Sequence, residues 1–211
     1  MPLDRHAVAG WLDQLARVYS ANRDLLTELD SAIGDADHGA SMDRGFAAVR
    51  AELERGGPAD IPSLLKFVAA TLIKTVGGAS GPLYGTFFLR AGAVCPAKGE
   101  LDASDVVTIF RAGIDGVVQR GKASAGDKTM VDALLPALAA MEDCGRRAAG
   151  IGRMLEEAAE AAGQGMRATI PMQARKGRAS YLGPRSVGHQ DPGATSTWLL
   201  FRAAADTWRE A

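Results

Sequence analysis

The chain has 211 residues, enough for one domain with a buried core, and a formal net charge of −1. This near balance of charges gives no support to a nucleic-acid or anionic-membrane partner, and no stretch is long and apolar enough to cross a membrane. Two cysteines, Cys95 and Cys144, are too few for a thiolate zinc site, and with the absence of a signal-like start they predict a cytoplasmic protein.

Apolar side chains recur at helical spacing along almost the whole chain, without a convincing strand pattern. Asp4 and Ser104 are candidate caps for the first and fifth helices. The predicted helices cover residues 8–29, 41–53, 61–76, 81–94, 104–120, 129–141, 151–169 and 192–210. Eight helices joined mostly by short loops predict an all-α fold, an antiparallel up-and-down bundle or barrel forming a single domain over residues 1–211.

Three carboxylates stand out between the first two helices. Asp30, Asp35 and Asp37 fall within eight positions, and glycines bracket the last two. Close carboxylates repel one another and usually need a cation, and bound Mg²⁺ is commonly accompanied by a phosphate. A set of solvated turn aspartates is the alternative that this spacing leaves open.

The loop between the third and fourth helices, residues 77–80, contains two adjacent glycines. Glycine lets the backbone approach a phosphate closely, and Ser80 could cap a helix whose first amides form an anion site. An ordinary helix–helix turn explains the same residues. Further on, residues 116–123 satisfy the spacing of a P-loop, but Ala123 replaces the required hydroxyl, so we interpret Gly121 as a helix stop.

The loop 170–191 is long for a compact domain, which indicates either function or disorder. Its positive charges are Arg175, Lys176, Arg178 and Arg185. A guanidinium can hold a phosphate through two hydrogen bonds, whereas a solvated charged loop is the simpler alternative. The residues 191–193 then open the last helix with a cap and a proline at its first position.

In an up-and-down topology, the loops that follow helices one, three, five and seven lie at the same end. These loops are 30–40, 77–80, 121–128 and 170–191, and they contain nearly all the unusual residues. We therefore expect one site at one end of the fold. Nearby apolar side chains could line an adenine pocket or belong to the ordinary core; they are Leu83, Tyr84 and Met130.

Together these segments resemble the nucleotide-binding subunit L of dihydroxyacetone kinase over essentially the whole chain. The similarity rests on four motifs in the same order, at residues 34–39, 77–85, 126–130 and 173–194. The resemblance implies an eight-helix barrel that binds ADP or ATP at one end.

The resemblance also implies the residues of the site. Asp30, Asp35 and Asp37 would hold two Mg²⁺ ions bridging the nucleotide phosphates, with Arg178 as the catalytic cation. The implied nucleotide contacts are His38, Gly39, Ala40, Ser41, Ala79, Ser80, Gly121, Met130, Arg178, Asp191, Pro192 and Gly193. Ser41 stands where the family usually has asparagine, so its side-chain contact is open. Two Mg²⁺ would reduce the charge of ADP and three aspartates from about −6 to about −2.

In this family, a separate subunit K binds dihydroxyacetone covalently, and a phosphohistidine subunit M of the phosphoenolpyruvate phosphotransferase type rephosphorylates the bound ADP. The resemblance implies that this chain is the ADP- and Mg²⁺-carrying phosphotransferase subunit, and it leaves a homodimer open. One alternative is an ATP-dependent kinase subunit for dihydroxyacetone or a related ketose such as erythrulose. Another is a non-catalytic Mg²⁺–nucleotide regulatory module.

Overall fold

The structure, a computed structural model, describes residues 3–210, and helices dominate this part of the chain. Within it lie nine α-helices, a stretch of 3₁₀ helix at Arg178–Ser186, and two short strands, β1 (Leu3–Asp4) and β2 (Glu100–Leu101). The α-helices are α1 (Arg5–Ala21), α2 (Arg23–Ile33), α3 (His38–Glu54), α4 (Ile61–Thr75), α5 (Ser80–Val94), α6 (Ala103–Gly121), α7 (Val131–Arg146), α8 (Ile151–Ala168) and α9 (Pro192–Thr207).

The helices close into a ring with eight positions. Each packs on the next, from α1 to α3 and then in chain order to α9, which packs back on α1. The helix α2 shares the neighbours α3 and α9 with α1, so the two together fill one position. The predicted all-α, antiparallel eight-helix barrel is therefore confirmed.

The first predicted helix is wrong in one respect, because the structure divides it at Asn22. The Asn22 side-chain amide donates to the carbonyl of Val18 at 2.8 Å, and its backbone leaves the helical region (φ −105°, ψ 13°). Asparagine competes for backbone hydrogen bonds in this way, which disfavours a helix interior.

Two further details differ from the sequence-based expectation. The cap of α6 is Asp102 rather than Ser104: its carboxylate accepts from the first-turn amides, and Asp105 reciprocates in a capping box. The two-residue strands β1 and β2 pair antiparallel, with Leu3 opposite Leu101, and do not change the fold class. Asp4 caps α1 as predicted, through a 2.9 Å bond from the amide of Ala7.

Aromatic side chains tie the ring together at its core. The ring centroid of Trp11 lies 5.9 Å from that of Phe88, 5.8 Å from that of Phe110 and 5.0 Å from that of Trp208. Such contacts join α1, α5 and α6 to the segment that follows α9. Over residues 3–210, none of the helices has the length and apolar character needed to cross a bilayer.

Candidate functional site

Four loops meet at one end of the barrel, around a cavity of about 200 Å³. They are the segments that follow α2, α4, α6 and α8, so the end predicted from helix parity is confirmed. The wall includes Asp30, Ile33, Gly34, Asp35, Asp37, His38, Gly77, Gly78, Ala79, Ser80, Leu83, Tyr84, Lys128, Thr129, Met130, Lys176, Gly177, Arg178, Ala179, Asp191, Pro192 and Gly193.

Three carboxylates form the acidic part of this wall. Asp30, Asp35 and Asp37 each offer an oxygen atom, and these oxygen atoms lie within 4.8 Å of one another. Asp30 is buried on α2, and its Oδ2 accepts from the amides of Asp37 at 2.9 Å and His38 at 3.2 Å. Because this carboxylate satisfies two free amides, α3 begins at His38 rather than at the predicted Ser41.

The electrostatics of the cluster fit a cation. Partial burial raises the pKa of Asp37, and the negative charges of Asp35 and Asp30 raise it further. Two arginines, Arg178 and Arg44, act in the opposite direction on the same pKa. A group of hard oxygen ligands that repel one another in this way matches the ligand preference of a divalent ion such as Mg²⁺.

Arg178 reaches the cluster from the segment between α8 and α9, residues 169–191, which we term the strap. Its guanidinium lies 2.9 Å from Oδ2 of Asp35, with 65% of the arginine side chain exposed. Lys176, Gly177 and Ala179 of the strap also line the cavity. The strap thus places an exposed cation beside the aspartates, where it can meet an anionic ligand.

The glycine-rich turn before α5 faces the aspartates. Gly78 has a positive φ of 60°, which favours glycine, and Ala79 caps α5 without any side-chain bond to the first amides. Those amides belong to a 15-residue helix and lie beside the cavity, so they form a potential anion site. Ser80 is not the predicted cap, since its Oγ bonds Nδ1 of His38 at 3.1 Å.

His38 is held in a buried chain of polar groups beneath the cavity. Its Nε2 lies 2.9 Å from Oγ of Ser196, and this hydroxyl donates to the carbonyl of Gly193 at 3.0 Å. A neutral imidazole donates from one ring nitrogen and accepts at the other, so one of the two serine hydroxyls, of Ser80 and Ser196, donates to His38 and the other accepts from it. The Tyr84 hydroxyl, 2.7 Å from Ser196 Oγ, completes the chain. Burial lowers the pKa of His38 to about 4.

A second, mainly apolar cavity of about 270 Å³ adjoins the first. The two share Ala79, Leu83 and Met130 in their walls, and Val117 and Gly121 belong to the second alone. The first compartment is thus lined by charged side chains, with the aspartate cluster among them, and the second is mainly apolar. This division suits a ligand that joins a charged group to a flat ring. The C-terminal end of α6 at Gly121 agrees with the predicted helix stop, although the left-handed residue is Lys122 (φ 49°).

The start of α9 forms the remaining wall. Asp191 caps the helix by accepting from the amide of Ala194 at 2.7 Å, and Pro192 follows in the first turn as predicted. Asp191 is buried, and burial raises its pKa to about 7, against the lowering effects of that hydrogen bond and of Lys128.

Three predicted contact residues line neither cavity: Gly39, Ala40 and Ser41 lie in the first turn of α3. A Cβ on Gly39 would overlap the carbonyl of Arg23, so this glycine permits the close packing of α3 on α2. Ser41 is buried and accepts a hydrogen bond from Arg44 at 3.2 Å. Contact of these three residues with a ligand stays a prediction.

Sequence reasoning misses Lys128. This residue lines the cavity with 1% of its surface exposed, although a lysine in a polar loop is ordinarily solvated. In the sequence, only its position within the motif at residues 126–130 connects Lys128 with the site, and that position does not show that the side chain is buried. The cavity residues Thr129 and Lys176 are likewise absent from the predicted contacts.

The helical barrel has a carboxylate cluster beside a glycine-rich turn at one end. Known proteins are similar to this chain in both sequence and fold. The chain belongs to the DAK2 domain family, whose model matches residues 32–206.

Two relatives and one solved structure make the similarity specific. The chain is 45% identical to the "PEP-dependent dihydroxyacetone kinase, ADP-binding subunit DhaL" of Escherichia coli K12, over 97% of this chain and 98% of that protein. It is 39% identical to the corresponding subunit of dihydroxyacetone kinase 1 of Listeria innocua, over 98% of both chains. The fold matches the dihydroxyacetone kinase of C. freundii, solved with AMP-PNP and Mg²⁺, with a TM-score of 0.77 and 26% identity over 98% of this chain and 34% of that one.

Proposed function

We propose that this chain is the ADP-binding subunit of a dihydroxyacetone kinase, and that it passes a phosphoryl group through its bound nucleotide to dihydroxyacetone held by a partner subunit K. The observation that carries the proposal is that a cavity containing the aspartate cluster adjoins an apolar cavity at one end of the barrel. It is supported by the near full-length similarity to ADP-binding subunits.

Asp30, Asp35 and Asp37 are the proposed ligands of Mg²⁺, and the charge count given above favours two ions. When bound, Mg²⁺ neutralises phosphate charge during transfer. The aspartates fix the position of the phosphates relative to the cavity wall. Arg178, which lies beside Asp35, supplies a further positive charge and is the proposed catalytic residue.

Apart from Gly39, Ala40 and Ser41, which line neither cavity, the remaining predicted contacts divide between the two cavities. We propose that the α5 amides, Ser80, Ala79 and His38 face the phosphates, because they lie beside the aspartates. Gly121, Met130 and Leu83 would hold the adenine in the apolar cavity, and the residues 191–193 would close the site from α9.

The partners follow from the same similarity. We propose subunit K as the source of the ketose and a phosphohistidine subunit M as the source of phosphoryl groups, because the closely similar relatives are PEP-dependent. We further propose that residues 1–211 act as a single DhaL-type domain in the cytoplasm. Association of two copies into a homodimer is a further hypothesis, which sedimentation of the purified chain would test.

Retention of ADP tests this proposal. Purified protein should keep about one ADP per chain through desalting, as measured by mass spectrometry, and Asp35→Ala or Asp37→Ala should lose it. Asp24→Asn, which alters an exposed carboxylate on α2 away from the cavity, is the matched control and should retain ADP. Equal retention by all variants would contradict the assignment of the aspartates.

An exchangeable ATP is the second candidate, favoured by the C. freundii kinase, which was solved with AMP-PNP. In that case the chain should emerge free of nucleotide and turn over ATP with subunit K and without subunit M. A regulatory module is the remaining alternative. Arg178→Ala should abolish phosphoryl transfer while Arg185→Ala, an exposed arginine of the same strap, should not; equal activity of both would favour the module.

A further inference from the structure

Lys128 is a buried cation in the loop between α6 and α7. Its side chain is almost fully shielded from solvent, and its backbone has a positive φ of 61°, which is uncommon outside glycine. Asp132 holds this conformation, since its carboxylate accepts from the amides of Gly126 at 2.5 Å and Thr129 at 2.8 Å. The loop is thus shaped to direct one lysine inward.

The ammonium of Lys128 contacts both ends of the strap. Its Nζ donates to the carbonyl of Thr169 at 2.7 Å and also to the carbonyl of His189. Thr169 is the first residue of the strap and His189 lies two residues before its end. One side chain therefore links Thr169 and His189, which are 20 residues apart along the chain, through hydrogen bonds to both of their carbonyls.

Backbone hydrogen bonds reinforce the same junction. The amide of Gly188 donates to the carbonyl of Ile170 at 2.8 Å, and the amide of Arg175 donates to the carbonyl of Asp127 at 3.0 Å. The neighbour of Lys128 therefore anchors the strap as well. The two ends of the strap are also bonded to each other, since the amide of Asp191 donates to the hydroxyl of Thr169 at 3.0 Å. The base of the strap is thus fastened to the loop 121–130 in addition to its bonds with α8 and α9.

Away from its base, the strap is held by bonds within itself and by few contacts with the barrel. Its buried Ser186 accepts from the amide of Ala174 at 2.9 Å and donates to the carbonyl of Gly183 at 2.7 Å. Its own apolar cluster consists of Ala174 and Ala179 against Ile33 of α2, with Leu182 partly buried beside them. Such a small cluster gives limited stabilisation, so the position of the strap depends on its anchors. Arg178, which pairs with Asp35, is carried between those anchors.

We propose that Lys128 is a positioning residue: by fastening both ends of the strap, it holds Arg178 over the aspartate cluster. The effect on phosphoryl transfer rests on the function proposed above, whereas the fastening itself does not.

Tryptic cleavage of the strap measures the fastening directly, because four trypsin sites lie within it, at Arg175, Lys176, Arg178 and Arg185. In protein without nucleotide or metal, Lys128→Met should raise the rate of cleavage at these sites at least about tenfold, the factor expected from the loss of one hydrogen bond to a charged group. The matched control is Lys122→Met in the same loop, which alters an exposed lysine that also has a positive φ. It should leave the strap cleavage rate unchanged.

If Lys128→Met does not fold, Lys128→Gln takes its place in the same comparison. Strap cleavage at the wild-type rate in the folded variant would overturn the proposal. Faster cleavage throughout the chain would also overturn it, since Lys128 would then support the fold as a whole.

The second test measures the rate of phosphoryl transfer in the presence of subunit K. Lys128→Met should lower kcat about tenfold with little change in the KM for the ketose-loaded partner, because Arg178 would be displaced while the partner is unaltered. A loss confined to KM would contradict the positioning role. If the proposed function is wrong, transfer will be absent even in wild type, while the cleavage result still decides the fastening.

Discussion

Acidification should act on the free energy of unfolding through two buried groups at the site, and in opposite directions. Burial lowers the pKa of His38 to about 4, so from pH 6.5 to 4 the unfolded chain binds a proton that the folded chain lacks. Burial raises the pKa of Asp191 to about 7, so from pH 7 to 4 the folded chain binds a proton that the unfolded chain has released. On acidification, His38 therefore destabilises the fold and Asp191 stabilises it.

The two effects are of similar size. One pKa unit corresponds to about 1.4 kcal/mol, so the displacement of His38 from 6.5 to about 4 amounts to at most about 3 kcal/mol. The displacement of Asp191 from 3.8 to about 7 amounts to at most about 4 kcal/mol. Because the signs are opposite, the contributions of His38 and Asp191 should nearly cancel, which leaves their combined profile nearly flat between pH 4.5 and 6.5. Each single variant should expose the pH dependence of the group that remains.

The assay is urea unfolding followed by circular dichroism at pH 4.5, 5.5 and 6.5, without metal or nucleotide. On going from pH 6.5 to 4.5, His38→Gln should gain about 2 kcal/mol of unfolding free energy and Asp191→Asn should lose about 2 kcal/mol. Asparagine is as good a helix cap as aspartate, so the start of α9 is preserved. The double variant should return to the flat profile. Two single variants with the same slope as wild type would refute the reasoning.

Three further predictions concern packing, charge and capping. Gly39→Ala should cost about 1–3 kcal/mol in urea unfolding, because its Cβ would overlap α2, whereas Gly99→Ala has open space and should cost little; equal costs would contradict the packing. Arg178→Ala should tighten Mn²⁺ binding to the nucleotide-free chain up to about fivefold, measured by calorimetry, because Asp35 loses a competing cation; weaker binding would exclude that competition. Asp102→Ala should cost about 1 kcal/mol by removing the α6 capping box, and an unchanged urea midpoint would show that the box contributes nothing.

The barrel and the location of its site could be predicted because both depend on local patterns. Apolar spacing reveals each helix, and the parity of the loops then brings the aspartates and the glycine-rich turn to one end. The cluster of Asp30, Asp35 and Asp37 was likewise visible, since repulsion between close carboxylates depends on short spacing along the chain.

What could not be predicted depends on distant partners. His38 bonds Ser196, 158 positions away, and no local pattern links the two residues. Lys128 resembles a surface lysine until the carbonyls of the strap are placed around its ammonium. The cap of α6 was misassigned for a different reason, since Asp102 and Ser104 are both good caps and only the backbone geometry decides between them.

Asp30 belongs at once to the scaffold and to the charge cluster, and this affects how any survey of substitutions at the site should be interpreted. One of its oxygens already holds the first amides of α3, so a replacement there disturbs the helix before it disturbs a ligand. Asp35 and Asp37 are exposed, and Asp37 makes no side-chain bond to the start of α3. Loss of activity at positions 35 and 37 therefore reports on the site itself, whereas at position 30 it combines damage to the site with damage to the start of α3.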